Sequence, residues 1–218
     1  MATNPARQQE NPMNQKRSIC SLAFRAAAVA ALALSYGCAS SGPNAKDTVD
    51  SMSAFGNETA KAKDAITKTV ASLETLTSSQ AADIRVNFDA YSKSVTALDE
   101  QDKLVKDNAD KMQANGDLFF KDWEGSETVT PERRAELSAS YAKIKTDMGA
   151  ARESFVPFMA SLKDIESYMN LDQTVKGINS MGGLVQKAKD NSVTVNSQLD
   201  AVLKDLNSVR GMLSTKSN

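Results

Sequence analysis

The chain has 218 residues, with 26 Lys and Arg against 27 Asp and Glu, and no histidine. Lacking histidine, it has no His-based triad, no side chain that titrates near neutrality by default, and no Glu-x-x-His di-iron motif. The charges alternate in sign along the sequence, which reads as solvated helix surface and excludes the basic face that nucleic-acid binding needs.

The first 37 residues read as a lipoprotein-type signal peptide. Arg7, Lys16, Arg17 and Arg25 outnumber the single acid Glu10, and every residue from Ala26 to Leu34 is Ala, Val or Leu. That run is far shorter than the ~18 apolar residues of a spanning helix. Met13 is an alternative start, since Met13 to Gly37 already makes a complete signal. Cys38 is the candidate lipid-attachment residue. Gly37 is small enough for a peptidase to approach, and sulfur is the nucleophile that takes up lipid. The alternative is cleavage near Ala39, with Gly37-Cys38-Ala39 as a small-x-small site and a soluble periplasmic product. Cys20 would leave with the leader, so the mature chain has one thiol and no disulfide. Acyl chains contribute ~0.8 kcal/mol per buried methylene, so several on one Cys give lasting attachment. Ala39 stands where enterobacterial inner-membrane lipoproteins often carry Asp; by that resemblance the expected location is the outer membrane, periplasmic face.

Residues 38–44 read as a flexible tether and residues 45–218 as one helical domain. Removing four basic groups and one acid with the leader leaves 22 basic against 26 acidic residues. Few Pro, Gly and aromatic residues point to long helices rather than a sandwich.

The first helical segment shows an intermittent stripe: Met52, Phe55, Ala62, Ile66, Val70, Leu73 and Leu76. Its boundary with the second falls around Thr77-Ser78-Ser79-Gln80, a capping-box-like sequence. In the second, Ile84, Tyr91, Leu98, Val105, Met112 and Phe119 recur every seven residues, and Phe88, Val95, Ala109 and Trp123 fill most of the companion row. Asp102 and Gly116 are the two breaks. Asp102 reads as a residue exposed at the bundle edge or as a buried register device. The third segment starts with Thr130 as N-cap, Pro131 at the first helical position and Glu132 at the positive helix end. Its rows are Leu137, Ile144, Ala151, Phe158, Ile165 and Tyr141, Met148, Phe155, Leu162, Met169, with Pro157 expected to kink it. Residues 170–173 should turn the chain into a fourth segment. There Leu171, Ile178, Val185, Leu199, Leu206 and Leu213 keep register with Met181, Ala188, Val195, Val202 and Val209. Gly177, Gly182 and Gly183 suggest a local break or loose turn within it, with a hinge or a close-approach contact as the alternative. The expected fold is therefore all-α, an elongated antiparallel up-down bundle of about four long helices with coiled-coil-like heptads.

The order Phe119-Phe120-Lys121-Asp122-Trp123-Glu124, then Arg134, Leu137, Tyr141 and Met148, then Phe155-Val156-Pro157-Phe158, Leu162-Lys163-Asp164 and Asn170-Leu171, resembles an uncharacterised bacterial envelope family, domain of unknown function 2959. The resemblance covers roughly residues 105–210. It implies a helical, often lipid-anchored protein, and it supplies no activity or catalytic residues. Where the family has Lys-His before the Asn-Leu, this chain has Tyr168-Met169, which puts a role for a basic pair in doubt.

Four features weigh on function. No GxGxxG or Walker loop is present, and the one mature thiol is expected to be acylated, so no enzyme activity and no cofactor are expected. Asp117, Asp122, Glu124 and Glu127 match no calcium-loop spacing and read as an acid-rich helix end, so no metal is expected either. Phe119, Phe120, Trp123, Phe155 and Phe158 form the densest apolar group. They read as core near one bundle end, or as the lining of a pocket between helices. The sequence thus suggests a non-enzymatic, lipid-anchored cell-envelope protein, a structural or interaction module with an envelope protein partner and a membrane held through Cys38. The alternative is a carrier of an apolar small molecule or lipid within the bundle.

Overall fold

The computed structural model describes residues 44–124 and 130–214. The expected signal, the candidate lipid-attachment residue Cys38 and all but Asn44 of the expected tether lie outside the described residues, as does Glu127. All described elements belong to one compact unit, Ser40–Asn218. They are five helices: α1 (Ala45–Thr77), α2 (Ile84–Glu124), α3 (Pro131–Leu171), the short α4 (Val175–Ser180) and α5 (Gly182–Ser214). Among the described residues no helix is long and apolar enough to cross a membrane.

The four long helices close into a ring in which α1 adjoins α2 and α5, and α3 adjoins α5 and α2. Cross-helix pairs fix their directions. Lys189 meets Glu74 and Lys63 meets Asp200, so α5 runs against α1; Lys143 meets Asp205, so α3 runs against α5. Every neighbour is antiparallel, an up-down-up-down bundle. The α1–α2 and α3–α5 faces pack most closely, and the α2–α3 face is the loosest.

Helix α1 shows how a weak stripe becomes a full seam. Its buried residues are Thr48, Met52, Phe55, Thr59, Ala62, Ile66, Thr69, Leu73 and Leu76, a 4-3 alternation without a gap. Three threonines fill positions that an apolar count leaves empty. Each hydroxyl donates to a carbonyl one turn back: Thr48 to Asn44 at 3.2 Å, Thr59 to Phe55 at 2.9 Å and Thr69 to Ala65 at 2.8 Å. A buried hydroxyl with a partner avoids the desolvation cost, and the remaining methyl packs like that of Val.

The helix ends follow local chemistry. Asn44 and Asp47 form a reciprocal capping box at the start of α1. At its far end Ser78 donates to the Glu74 carbonyl at 2.9 Å, and Ser79 to that of Thr75 at 2.9 Å. The Thr77–Gln80 stretch therefore closes α1 rather than capping α2, because α2 begins only at Ile84. Thr130 caps α3, accepting from the Arg133 amide at 3.3 Å, with Pro131 at the first position. Helix α3 runs unbroken through Pro157. Pro157 and Glu153, whose carbonyl loses its donor, are both exposed, so the missing bond falls on the solvent side of the helix.

The fourth segment divides at Met181 into α4 and α5. Gly177 is required by close approach: a Cβ there would lie 2.8 Å from Asp172 Cγ. Gly182 and Gly183 meet nothing within 4 Å and mark the break itself. Leu171, expected in the core row, is 89 % exposed, because α3 ends on it and the chain turns away. Ser192 takes a buried seam position in α5 by donating to the Lys189 carbonyl at 2.7 Å.

Candidate functional site

The α2–α3 face is tied at two places and open between them. At one tie Tyr91 of α2 donates to the Leu162 carbonyl of α3 at 2.9 Å, and Lys163 pairs with Asp99 at 2.9 Å. At the other the roles exchange: Tyr141 of α3 donates to the Gln113 carbonyl of α2 at 3.0 Å, and Lys145 pairs with Asp117 at 2.9 Å. Burial pushes both phenols above their ordinary range, helped by the Glu166 charge near Tyr91 and by Asp117 near Tyr141. The ammonium of Lys163, with that of Lys103, holds the Asp99 carboxyl below its ordinary value.

The Tyr141 tie rests on Gly116, one of the two breaks in the α2 heptads. A Cβ on Gly116 would stand 2.7 Å from Tyr141 Cε2, so only glycine admits the ring. Tyr141 then stacks on Phe120 at 4.6 Å between centroids, and Lys145 Nζ lies 4.9 Å from its ring. Phe119 and Trp123 complete this end, 5.4 Å apart.

The five aromatics singled out by sequence fall into two places. Phe119, Phe120 and Trp123 pack with Tyr141 as filled core near one bundle end. Phe155 and Phe158 sit 6.1 Å apart on α3, roughly 20 Å along the bundle beyond the level of Phe119, which faces the Tyr141–Lys145 turn. Antiparallel chain direction separates them, since residues near the end of α2 face the start of α3. Phe155 lines a cavity.

That cavity, about 210 Å³, lies between the two ties. Its walls are Val105 and Ala109 of α2, Met148 and Phe155 of α3, with Ala62 and Leu199 behind. The void has a simple cause. Ala62, Ala109 and Ala151 are small seam residues that face this space from three helices, and small side chains leave volume unfilled. Gly149 adds to the opening, with no atom within 4 Å of where its Cβ would be. Asp102, the other heptad break, is at the mouth, its side chain 20 % exposed and paired with Lys106. It is thus neither an edge residue free in solvent nor an unpaired buried charge.

Asp110, Gln113, Lys145 and Arg152 complete the mouth. Lys145 is committed to Asp117. Asp110 and Arg152 make no ion pair or hydrogen bond among the described residues. An apolar floor under a charged rim can hold an apolar body and fix a polar head. Among the described residues no three Asp, Glu, Cys or His side chains are placed to hold a metal ion. Of the acid-rich helix end, Asp117 is taken up by Lys145.

Sequence reading missed this cavity and the threonines of α1. The signal for the threonines was present in their 4-3 spacing. The cavity depends on small residues of three helices facing one space, which no single segment reveals. No family model, no curated protein and no solved structure matches the chain.

Proposed function

We propose that this chain is a non-enzymatic, lipid-anchored cell-envelope protein whose helical bundle serves as a structural or protein-interaction module. The observation that supports this reading best is the length and cross-linking of the bundle. Helices α2 and α3 each have 41 residues, ~60 Å at 1.5 Å per residue. Ion pairs and hydroxyl contacts join α1 to α5, α3 to α5, α2 to α3 and α1 to α2. Such a body is a stiff spacer with long charged faces. The leader and Cys38 supply the envelope setting and anchor in this reading, and the resemblance to the domain of unknown function 2959 agrees with both. The outer membrane, periplasmic face, is the proposed location.

The test is crosslinking in intact cells, with photoreactive residues at exposed Leu104, Leu118 and Val156, followed by capture and mass spectrometry. A reproducible protein partner at one of these faces, on an acylated bait that loses its acyl mass in Cys38→Ser, supports the module. An unlipidated bait overturns the anchor.

A second reading, a carrier of a small apolar molecule, is favoured by one observation, the 210 Å³ cavity between α2 and α3. A stoichiometric small molecule on the captured bait, with no protein partner, would replace the module by the carrier.

A further inference from the structure

The unpaired charges at the cavity mouth stand in a specific register. From Asp99 to Asp110 on α2 is eleven residues, and from Lys163 back to Arg152 on α3 is also eleven. From Asp110 to Asp117 is seven, as is Arg152 to Lys145. Eleven and seven residues are near-whole numbers of helical turns, so all three positions share one face on each helix. The outer rungs, Asp99–Lys163 and Asp117–Lys145, are closed at 2.9 Å. The middle rung, Asp110 opposite Arg152, is open, and the cavity lies beneath it.

We propose that this cavity binds a small zwitterion with an apolar body, an α-amino acid with an aromatic or long aliphatic side chain. Arg152 holds the carboxylate and Asp110 the ammonium, while the side chain enters the void. This rests on the carrier reading and names its ligand class. Size fits: a 150 Å³ apolar cavity takes benzene, so 210 Å³ holds about eight carbons. Charge discriminates. A simple carboxylate gains Arg152 but faces Asp110, and a simple amine meets the reverse. Only a molecule carrying both charges completes the rung. The guanidinium fork is suited to a carboxylate in two-point contact. Lys106 and Lys145 do not compete for the head, since Asp102 and Asp117 already hold them.

The test is calorimetric titration of the purified mature chain with four probes: L-phenylalanine, 3-phenylpropanoate, 2-phenylethylamine and toluene. Phenylalanine should bind most tightly. Arg152→Gln should weaken phenylalanine and phenylpropanoate about tenfold or more and leave phenylethylamine unchanged, with the mirror pattern for Asp110→Asn. Both side chains are exposed, so unchanged melting temperatures verify the fold of the variants. If phenylalanine binds no better than toluene, or binds both variants as well as the wild type, the zwitterion assignment is wrong while the carrier reading stands. If none of the four binds, and filling the void by Ala109→Leu changes no small-molecule content of protein captured from cells, both are overturned.

Discussion

Two stretches of the same helix pair end up as opposites. At the Gly116 end α2 and α3 are joined by stacked rings with no space to spare; around Val105 and Ala109 they part over a void. Both stretches keep the heptad phase, so periodicity does not separate them. Side-chain volume at each level does. A glycine in the first is filled by the tyrosine opposite, whereas Gly149 beside the second is filled by nothing. A heptad row therefore says which face turns inward, and the sizes of residues on three other helices decide whether that face is satisfied.

The sharpest way to break the contrast is Phe120→Ala, which removes the ring under Tyr141. It should cost about 3–5 kcal/mol and be seen as a large fall in the denaturant midpoint. An unchanged midpoint would mean that the aromatic end is not the firmly packed one. Gly116→Ala should cost about 1–3 kcal/mol through its collision with Tyr141, against the helix preference for Ala. A gain in stability would show that the ring can give way.

Alkali acts on both ties together. The folded-state pKa of Tyr91 and of Tyr141 is raised by burial, so the stabilisation is complete below the ordinary tyrosine value of about 10. Above it the unfolded chain loses phenol protons that the folded chain keeps, and stability falls as pH rises. For the deeply buried Tyr91 the loss is about 1.4 kcal/mol per pH unit, followed by melting between pH 9 and about 11.5. Tyr91→Phe should flatten that slope; a slope unaltered by it would place the sensitivity elsewhere. The smallest effect is at the open stretch. Gly149→Ala meets nothing and should stabilise by about 0.5–1 kcal/mol, through helix propensity alone. Any destabilisation would mean that the window is narrower than its lining suggests.

Much of the fold was legible in the sequence because four segments repeat one phase and their caps are local. Thr130-Pro131 marked the start of α3, and the rows of α2, α3 and α5 match the buried residues closely. Errors came where one residue serves two masters. Thr59 is polar by composition and apolar by contact, since its hydroxyl is satisfied within its own helix. Leu171 keeps the phase but loses its helix. Phe155 and Phe119 look like one group in the sequence, and antiparallel packing sets them far apart. The open rung was invisible because Asp110 and Arg152 are ordinary surface charges until the register of two other pairs aligns them.

The alternation of direction around the ring has an electrical consequence. Each long helix carries roughly half a unit charge at either terminus, of opposite sign. Because every neighbour is reversed, each end of the bundle presents two positive and two negative poles, which largely cancel beyond the ~10 Å that separates neighbouring helices. The helix dipoles therefore add no long-range pull on a charged visitor at either end. Capture of a small zwitterion by the open rung would then proceed at an encounter rate nearly indifferent to ionic strength.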